Sequence, residues 1–501
     1  MMAARLLRAI ILALALNPAQ AVDLLPTQAR PNVHPSVHRA LRAQATVNLI
    51  LTMRGGTTDV LASAEEAELG SRGDQIASLV DNLETAAEKS QRAVTAILAH
   101  ESDTSTPLFS AASTFWISNQ VFVQDATAEL LVKLLAESSI QEIREEAIFT
   151  LENPDVEIVP AISTSSNGSV AVSEANSAAW GVNKIGAVSV WGLGITGENV
   201  TVATIDTGVR QTHETLRDNF LGDFGWFDPI TNLTAPSDAA GHGTHVTALI
   251  AGTKGIGVAP GAKWMACKGC PTAETCTESA ILACSQFVLC PTDPSGVSRD
   301  CSKAPRIVNN SWGTKQGDTT FSPVIQAWRK AGIIPIFANG NVVANCGTVQ
   351  APADNADVIG VGATNKDDSL LSYSATGPTQ SGLLKPDVTA PGTSVYSAWR
   401  SRDNIYAITS GTSMAAPHAA GVAALLLSVG PNMTFDDVRS ALTASASRNL
   451  TTTNRTCGGT VDSANASGTG CVNTNCDVTC MAATSDAPTL TAVGKCTAPA
   501  R

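Results

Sequence analysis

The sequence predicts an α/β fold, a parallel sheet covered by helices on both faces and preceded by a small α+β domain. Two features of the middle of the chain carry the first part. Four segments, "NVTVATID" (199–206), "APRIVNNSWG" (304–313), "GIIPIFANGN" (332–341) and "ADVIGVGAT" (356–364), are dense runs of apolar, largely β-branched residues. Helical stretches alternate with them: "THVTALIAG", "TESAILACSQFVL" and "SPVIQAWRKAG". Strands apolar on both faces that alternate with helices indicate a parallel sheet buried on both sides. In such a sheet chemistry gathers at the carboxyl ends of the strands. The α+β domain follows from a third feature, a change of texture near residue 178.

The N-terminus reads as an export signal over residues 1–21. Arg5 and Arg8 supply positive charge, "AIILALAL" a short apolar core, and "AQA" a cleavable end. Within residues 22–177, "ATVNLILTMR" (45–54) and "WISNQVFVQ" (116–124) read as strands, and "IQEIREEAIF" (140–149) as a third. Residues 60–99 and "TAELLVKLLAESS" (127–139) read as helices. The Ser/Asn/Gly-rich passage at 162–177 is an exposed linker. The α/β domain then occupies residues 178–447, and a Cys/Thr/Ser-rich extension, 448–501, closes the chain. "MAAPHAAGVAALLLSVG" reads as a buried helix with Pro417 in its first turn and Ser413 placed to cap it.

Composition excludes several classes of partner. Of 501 residues, 44% are apolar and 15% charged, which describes a globular chain with ample core. A formal charge of −12 argues against nucleic acid, whose phosphates need a basic surface. After the signal, no stretch reads as a membrane span. The twelve cysteines are an even number suited to disulfides outside the cell. Six of them (267, 270, 276, 284, 290, 301) lie between "KWMACKGC" and "NNSWG". Disulfides account for these better than zinc, and their pairing stays open. Sequons at Asn167, Asn232, Asn432, Asn449, Asn454 and Asn465 suit a glycoprotein, whereas those at Asn199 and Asn309 fall on expected buried strands.

Three windows carry chemistry. Asp206 ends an apolar strand, which sets a carboxylate at the rim of the sheet. In "AGHGTHVTALIAG" (240–252), glycines flank His242 at the start of a helix, where an imidazole can serve as a general base. His245, one step further along, faces structure; a metal site built on the pair lacks a third ligand. Ser413 lies at another helix start, among orphan N–H groups. A serine becomes a nucleophile when an imidazole takes its proton and a carboxylate orients that imidazole. The order Asp206, His242, Ser413 is one of three unrelated orders in which such triads occur.

"DTG", "GHGTH" and "GTSMAAPH", in that order, resemble the subtilisin-like serine proteases (subtilases) over residues 178–446. The resemblance implies that Asp206, His242 and Ser413 form the triad of a serine endopeptidase acting on proteins or peptides. It also implies that the N-terminal α+β unit is an inhibitory propeptide, so that the enzyme is a secreted zymogen. "PIFANGN" (335–341) resembles the stretch that ends in the oxyanion-hole asparagine, here Asn341, with Ala338, Asn339 and Gly340 lining the substrate. "NNSWG" resembles the strand that pairs with substrate backbone, giving Ser311, Trp312 and Gly313; a Trp there is similar to bacillopeptidase-F-like members. "GTKGIGVAP" lacks the clustered oxygen ligands of the calcium loop found in many relatives, and no Gly-x-Gly-x-Val closing strand stands near 455–470. The expectation is a monomer with no cofactor and no metal. The rival reading is a catalytically silent secreted glycoprotein that serves as a binding module.

Overall fold

A computed structural model describes residues 30–63, 70–151, 156–160, 180–272, 275–342, 345–447 and 470–471. The export signal, the linker at 162–177, the sequons at Asn167, Asn449, Asn454 and Asn465 and nearly all of the extension lie outside the described residues. The chain divides into two compact units, residues 1–59 with 83–146, and residues 60–82 with 147–501.

The first unit holds a five-stranded sheet in the order Asn32–Val33, Ile140–Glu145, Thr46–Met53, Gln120–Thr127, Ala111–Phe115. Leu49, Leu51, Val121, Val123, Leu130 and Ile143 fill its core. The strand expected at 116–124 is displaced to Gln120–Thr127 because Asn119, with φ 52°, turns the chain into it. The expected strand at 140–149 divides in two. Ile140–Glu145 stays in this sheet, whereas Ile148–Thr150 pairs antiparallel with Thr275–Thr277 in the second unit.

An eight-stranded, wholly parallel sheet organises the second unit. Its order is Gly470–Cys471, Val388–Pro391, Ile359–Thr364, Ile334–Ala338, Ile307–Asn310, Thr201–Asp206, Lys263–Lys268, Trp226–Phe227. Every residue of Ile307–Asn310, Ile334–Ala338 and Ile359–Thr364 is buried, as their apolar runs predict. Alternate residues Ile334, Ile336 and Ala338 join one core cluster with helices His242–Ala251 and Thr412–Val429. Helices Glu278–Leu289 and Ser322–Lys330 also pack on the sheet, and Trp328 Nε1 donates to the Ser285 carbonyl between them at 3.1 Å. Three disulfides, Cys267–Cys284, Cys270–Cys276 and Cys290–Cys301, tie this side together.

Helix Thr412–Val429 corrects three expectations. By length and apolarity it would suffice to cross a membrane, yet it is buried within the fold, which is why it is apolar all round. Gly411, not Ser413, is its N-cap, and Ser413 makes no capping bond. Pro417 stands inside the helix rather than in its first turn. A proline there cannot donate to the carbonyl four residues back, that of Ser413. The Ser311 hydroxyl takes the place of the missing donor, reaching the Ser413 carbonyl at 2.9 Å. Asn199 is also not on a buried strand. It occupies an exposed turn with φ 64°, while Asn309 is fully buried as expected.

Gly421 marks the close approach of this helix to Val258, since a Cβ would stand 2.4 Å from Val258 Cβ. Gly→Ala in an ordinary helix gains about 1 kcal/mol. Overpacking of about 1–3 kcal/mol reverses that sign here. Gly421→Ala therefore lowers stability, as read by denaturant unfolding in a Ser413→Ala background that prevents self-digestion.

Candidate active site

Asp206 is the last residue of its strand and 1% exposed. Its Oδ1 accepts the Thr207 N–H at 2.7 Å, which fixes the carboxylate plane. His242 opens helix His242–Ala251 after Gly241, whose φ of 106° suits glycine alone and whose absent side chain admits the Trp399 ring. The imidazole Nδ1 lies 2.8 Å and 3.0 Å from the two Asp206 oxygens. Facing a carboxylate, Nδ1 is the protonated nitrogen, so Nε2 of the neutral ring carries the lone pair. That Nε2 is buried and has no hydrogen-bond partner among the described residues.

A residue missed in the sequence holds this pair in register. The Asp238 carboxylate accepts from the Thr207 hydroxyl at 2.9 Å and from the Gly241 and Thr244 N–H groups at 2.7 Å and 2.9 Å. One anion thus joins the turn after Asp206 to the positive end of the His242 helix. The only signal was an Asp shortly before a Gly-flanked helix start, too common a pattern to stand out. Burial favours the neutral form of His242, but Asp206, by charge and hydrogen bond, and Asp238, by charge, outweigh it and raise its pKa.

Ser413 is 5% exposed, in the first turn of its helix. Its hydroxyl donates to the Ser311 carbonyl at 3.1 Å. The structure therefore joins Asp206 to His242 and Ser413 to Ser311, and makes no hydrogen bond between His242 and Ser413. Asn341 Oδ1 accepts both the Thr412 N–H at 2.8 Å and the Thr412 hydroxyl at 2.9 Å. A backbone N–H can only donate, so this contact determines which end of the amide is oxygen and turns the NH₂ group the other way.

The residues expected to line the substrate divide into supports and walls. Asn339 is fully buried, with its amide on the Ala375 carbonyl at 2.6 Å and its main chain bonded to Val361 and Gln350. Ala338 ends its strand beside it, and Gly340 (φ 107°) leaves room for Gln350, 2.7 Å from where a Cβ would lie. This trio braces the loop that carries Asn341. Ser311 and Gly313 follow the end of strand Ile307–Asn310 as loop, not strand. Trp312 is 3% exposed against Phe321 and Phe337, with centroids 5.2 Å and 5.3 Å away, and Phe149 stacks over it at 6.3 Å. The extended edge at this place is Thr275–Thr277, which sequence reasoning missed because three residues show no periodicity.

His245 is structural, as expected. Its Nε2 faces the Val395 and Ala407 carbonyls at 3.1 Å and 3.2 Å, and burial pulls its pKa down to about 3. Asp206, Ser311 and Asn341 all lie at or just past the carboxyl ends of neighbouring parallel strands, where such folds gather their chemistry.

Residues 197–462 match the subtilase family. Bacillopeptidase F of Bacillus subtilis (strain 168) is 34% identical over 290 residues, covering 53% of this chain and 20% of that protein. Subtilisin DY of Bacillus licheniformis is 33% identical over 273 residues, covering 53% of this chain and 90% of that protein. The crystal structure of a cold adapted subtilisin-like serine proteinase aligns with 31% identity over 51% of this chain and 86% of that one, at a TM-score of 0.44. The chain thus spans a fifth of bacillopeptidase F but most of subtilisin DY. The family match and the subtilisin relative set the protein among the serine endopeptidases. More narrowly, it belongs to the subtilase family.

The raised pKa of His242 has a direct test. In the Ser413→Ala protein, the imidazole titrates above the ordinary histidine value of about 6.5 by NMR. Asp206→Asn removes the larger of the two charges opposing burial and leaves Asp238, so the titration moves down. An unchanged midpoint would show that the carboxylate does not control the ring.

Proposed function

We propose that this protein is a secreted endopeptidase, made as a zymogen, that cleaves peptide bonds through Asp206, His242 and Ser413. The observation that carries the reading is the buried Asp206–His242 pair, whose outward Nε2 lone pair has no partner. In this reading the Ser413 hydroxyl, which donates to the Ser311 carbonyl in the structure, gives its proton to that nitrogen when substrate is bound. His242 Nε2 takes the hydroxyl proton as Oγ bonds to the scissile carbonyl carbon, and the carbonyl oxygen becomes an anion. The Asn341 NH₂ group and the Ser413 N–H, an orphan donor of the first helical turn, receive that charge. The imidazolium then protonates the leaving amine, and the C–N bond breaks. Water, deprotonated by the same ring, releases the acyl group and restores the serine.

The N-terminal region is the enzyme's own inhibitor in this reading. Ile148–Thr150 adds as an antiparallel strand to Thr275–Thr277, and Phe149 covers Trp312 as a peptide side chain fills a pocket. Glu278 reinforces the contact by accepting the Ala147 N–H at 3.1 Å. Self-cleavage within 150–178 leaves residues 22 to the cut as the inhibitor and the chain beyond it as the enzyme. The N-terminal signal and the three disulfides support an oxidising, extracellular location. Substrates are proteins or peptides, and the protein works as a monomer.

Ser413→Ala abolishes both peptide hydrolysis and labelling by a fluorophosphonate; label persisting on another residue would overturn the assignment. Asn341→Ala lowers kcat by about 10²–10³, a range measured for such a donor in a subtilisin. A neutral His242 is required, and its pKa is raised, so activity is lost as pH falls with a midpoint above about 6.5. N-terminal sequencing of the secreted active enzyme shows a start within 150–178; an intact start at Val22 would refute the zymogen.

A further inference from the structure

The second unit carries another contact with the N-terminal segment, built by residues outside the catalytic set. Arg72 opens helix Arg72–Ser102. Its Nε donates to the Ala331 carbonyl at 3.1 Å, Nη1 to Ala304 at 2.9 Å and Nη2 to Pro305 at 2.7 Å. Every nitrogen of the guanidinium thus meets a backbone carbonyl, and among the described residues no carboxylate pairs with it. Burial draws its pKa down to about 10, with the Arg306 charge acting in the same direction. A buried cation is costly unless its hydrogen bonds are made, and bonds to a charged donor are the stronger kind. Ala331 is the C-cap of helix Ser322–Lys330, where orphan carbonyls and the negative dipole end favour a cation.

Two neighbours extend the contact along the same segment. Gly73 lies against Ser302, with space so tight that a Cβ would stand 2.9 Å from Ser302 Cβ. Asp81 pairs with Arg299 at 2.6 Å. Ser302 and Arg299 belong to the stretch stapled by Cys290–Cys301 and the short 3₁₀ turn Cys301–Lys303 that ends it.

We propose that the Ala304, Pro305 and Ala331 carbonyls, with the Cys290–Cys301 loop, form a docking surface on the mature enzyme for residues 70–82 of its own cleaved N-terminal region. This rests on the propeptide reading above and adds a second point of attachment to it. Cleavage within 150–178 leaves residues 70–82 and strand 148–150 on one fragment. A three-residue strand is a weak tether by itself. Held also by Arg72, it rebinds from a high effective concentration, so release requires both points to open together.

The test uses the full chain, as wild type, Arg72→Ala and Arg72→Lys, each allowed to process itself. The readouts are retention of the cleaved fragment on gel filtration and the lag between cleavage and peptidase activity after dilution. In Arg72→Ala the lag shortens at least about tenfold, and the fragment elutes separately. Arg72→Lys falls between, because an ammonium cannot reproduce the three-way fork. If Arg72→Ala does not fold, Ser302→Leu crowds Gly73 from the other side of the contact and shortens the lag likewise. Retention in the wild type with unchanged release from these variants overturns the docking surface but leaves the propeptide reading standing. A wild-type fragment that departs without any lag overturns that reading, and the docking surface falls with it.

Discussion

The contact between Asp206 and His242 is the constraint on which the site depends. Two ionisable groups at 4% exposure or less are tolerated only because each satisfies the other. The chain arranges for this by ending a buried strand on the carboxylate and starting a helix on the imidazole. Asp238 then binds this strand end to this helix start through Thr207 and Thr244. Once the Nδ1 side is committed, the tautomer is decided and the Nε2 lone pair points the other way. Neither residue alone has this property.

Ser413 is positioned by a comparable exchange. Pro417 deprives the helix of one internal bond, and the freed Ser413 carbonyl is claimed by Ser311. Ser311 returns its own carbonyl to the Ser413 hydroxyl. The result is a reciprocal clasp between a helix start and a strand end, holding Ser413 without a capping role. Asn341 is locked to the same turn through Thr412, so serine and amide keep a common reference frame. A helix interrupted by proline would ordinarily be weakened by about 3 kcal/mol or more; here the defect is what ties helix to sheet.

The strand edge at Thr275–Thr277 and the aromatic cluster beside it form one surface. Thr275–Thr277 offers backbone groups to a partner strand, and the aromatic floor of Trp312, Phe321 and Phe337 offers a place for a ring. With Phe149 on that floor, what occupies the edge is the chain's own N-terminal segment. Disulfide Cys270–Cys276 ties the edge to the chain just past the end of strand Lys263–Lys268, and Cys267–Cys284 ties that strand to helix Glu278–Leu289.

By itself the sequence determined the parallel sheet, the alternation of strand and helix, and the three residue types with their order along the chain. These are local matters: a run of β-branched residues, glycines beside His242 and a serine before a run of alanines are readable in windows of about ten residues. It determined less well where "IQEIREEAIF" divides, because one strand segment joined a different sheet and only long-range pairing decides that. Tertiary structure alone decided that Asn339 braces while Asn341 presents its amide, that Asp238 binds two elements, and that Ser413 leans on Ser311. Each of those outcomes depends on hydrogen bonds between residues about thirty to a hundred positions apart, and a donor's partner at such range leaves no periodic trace in sequence.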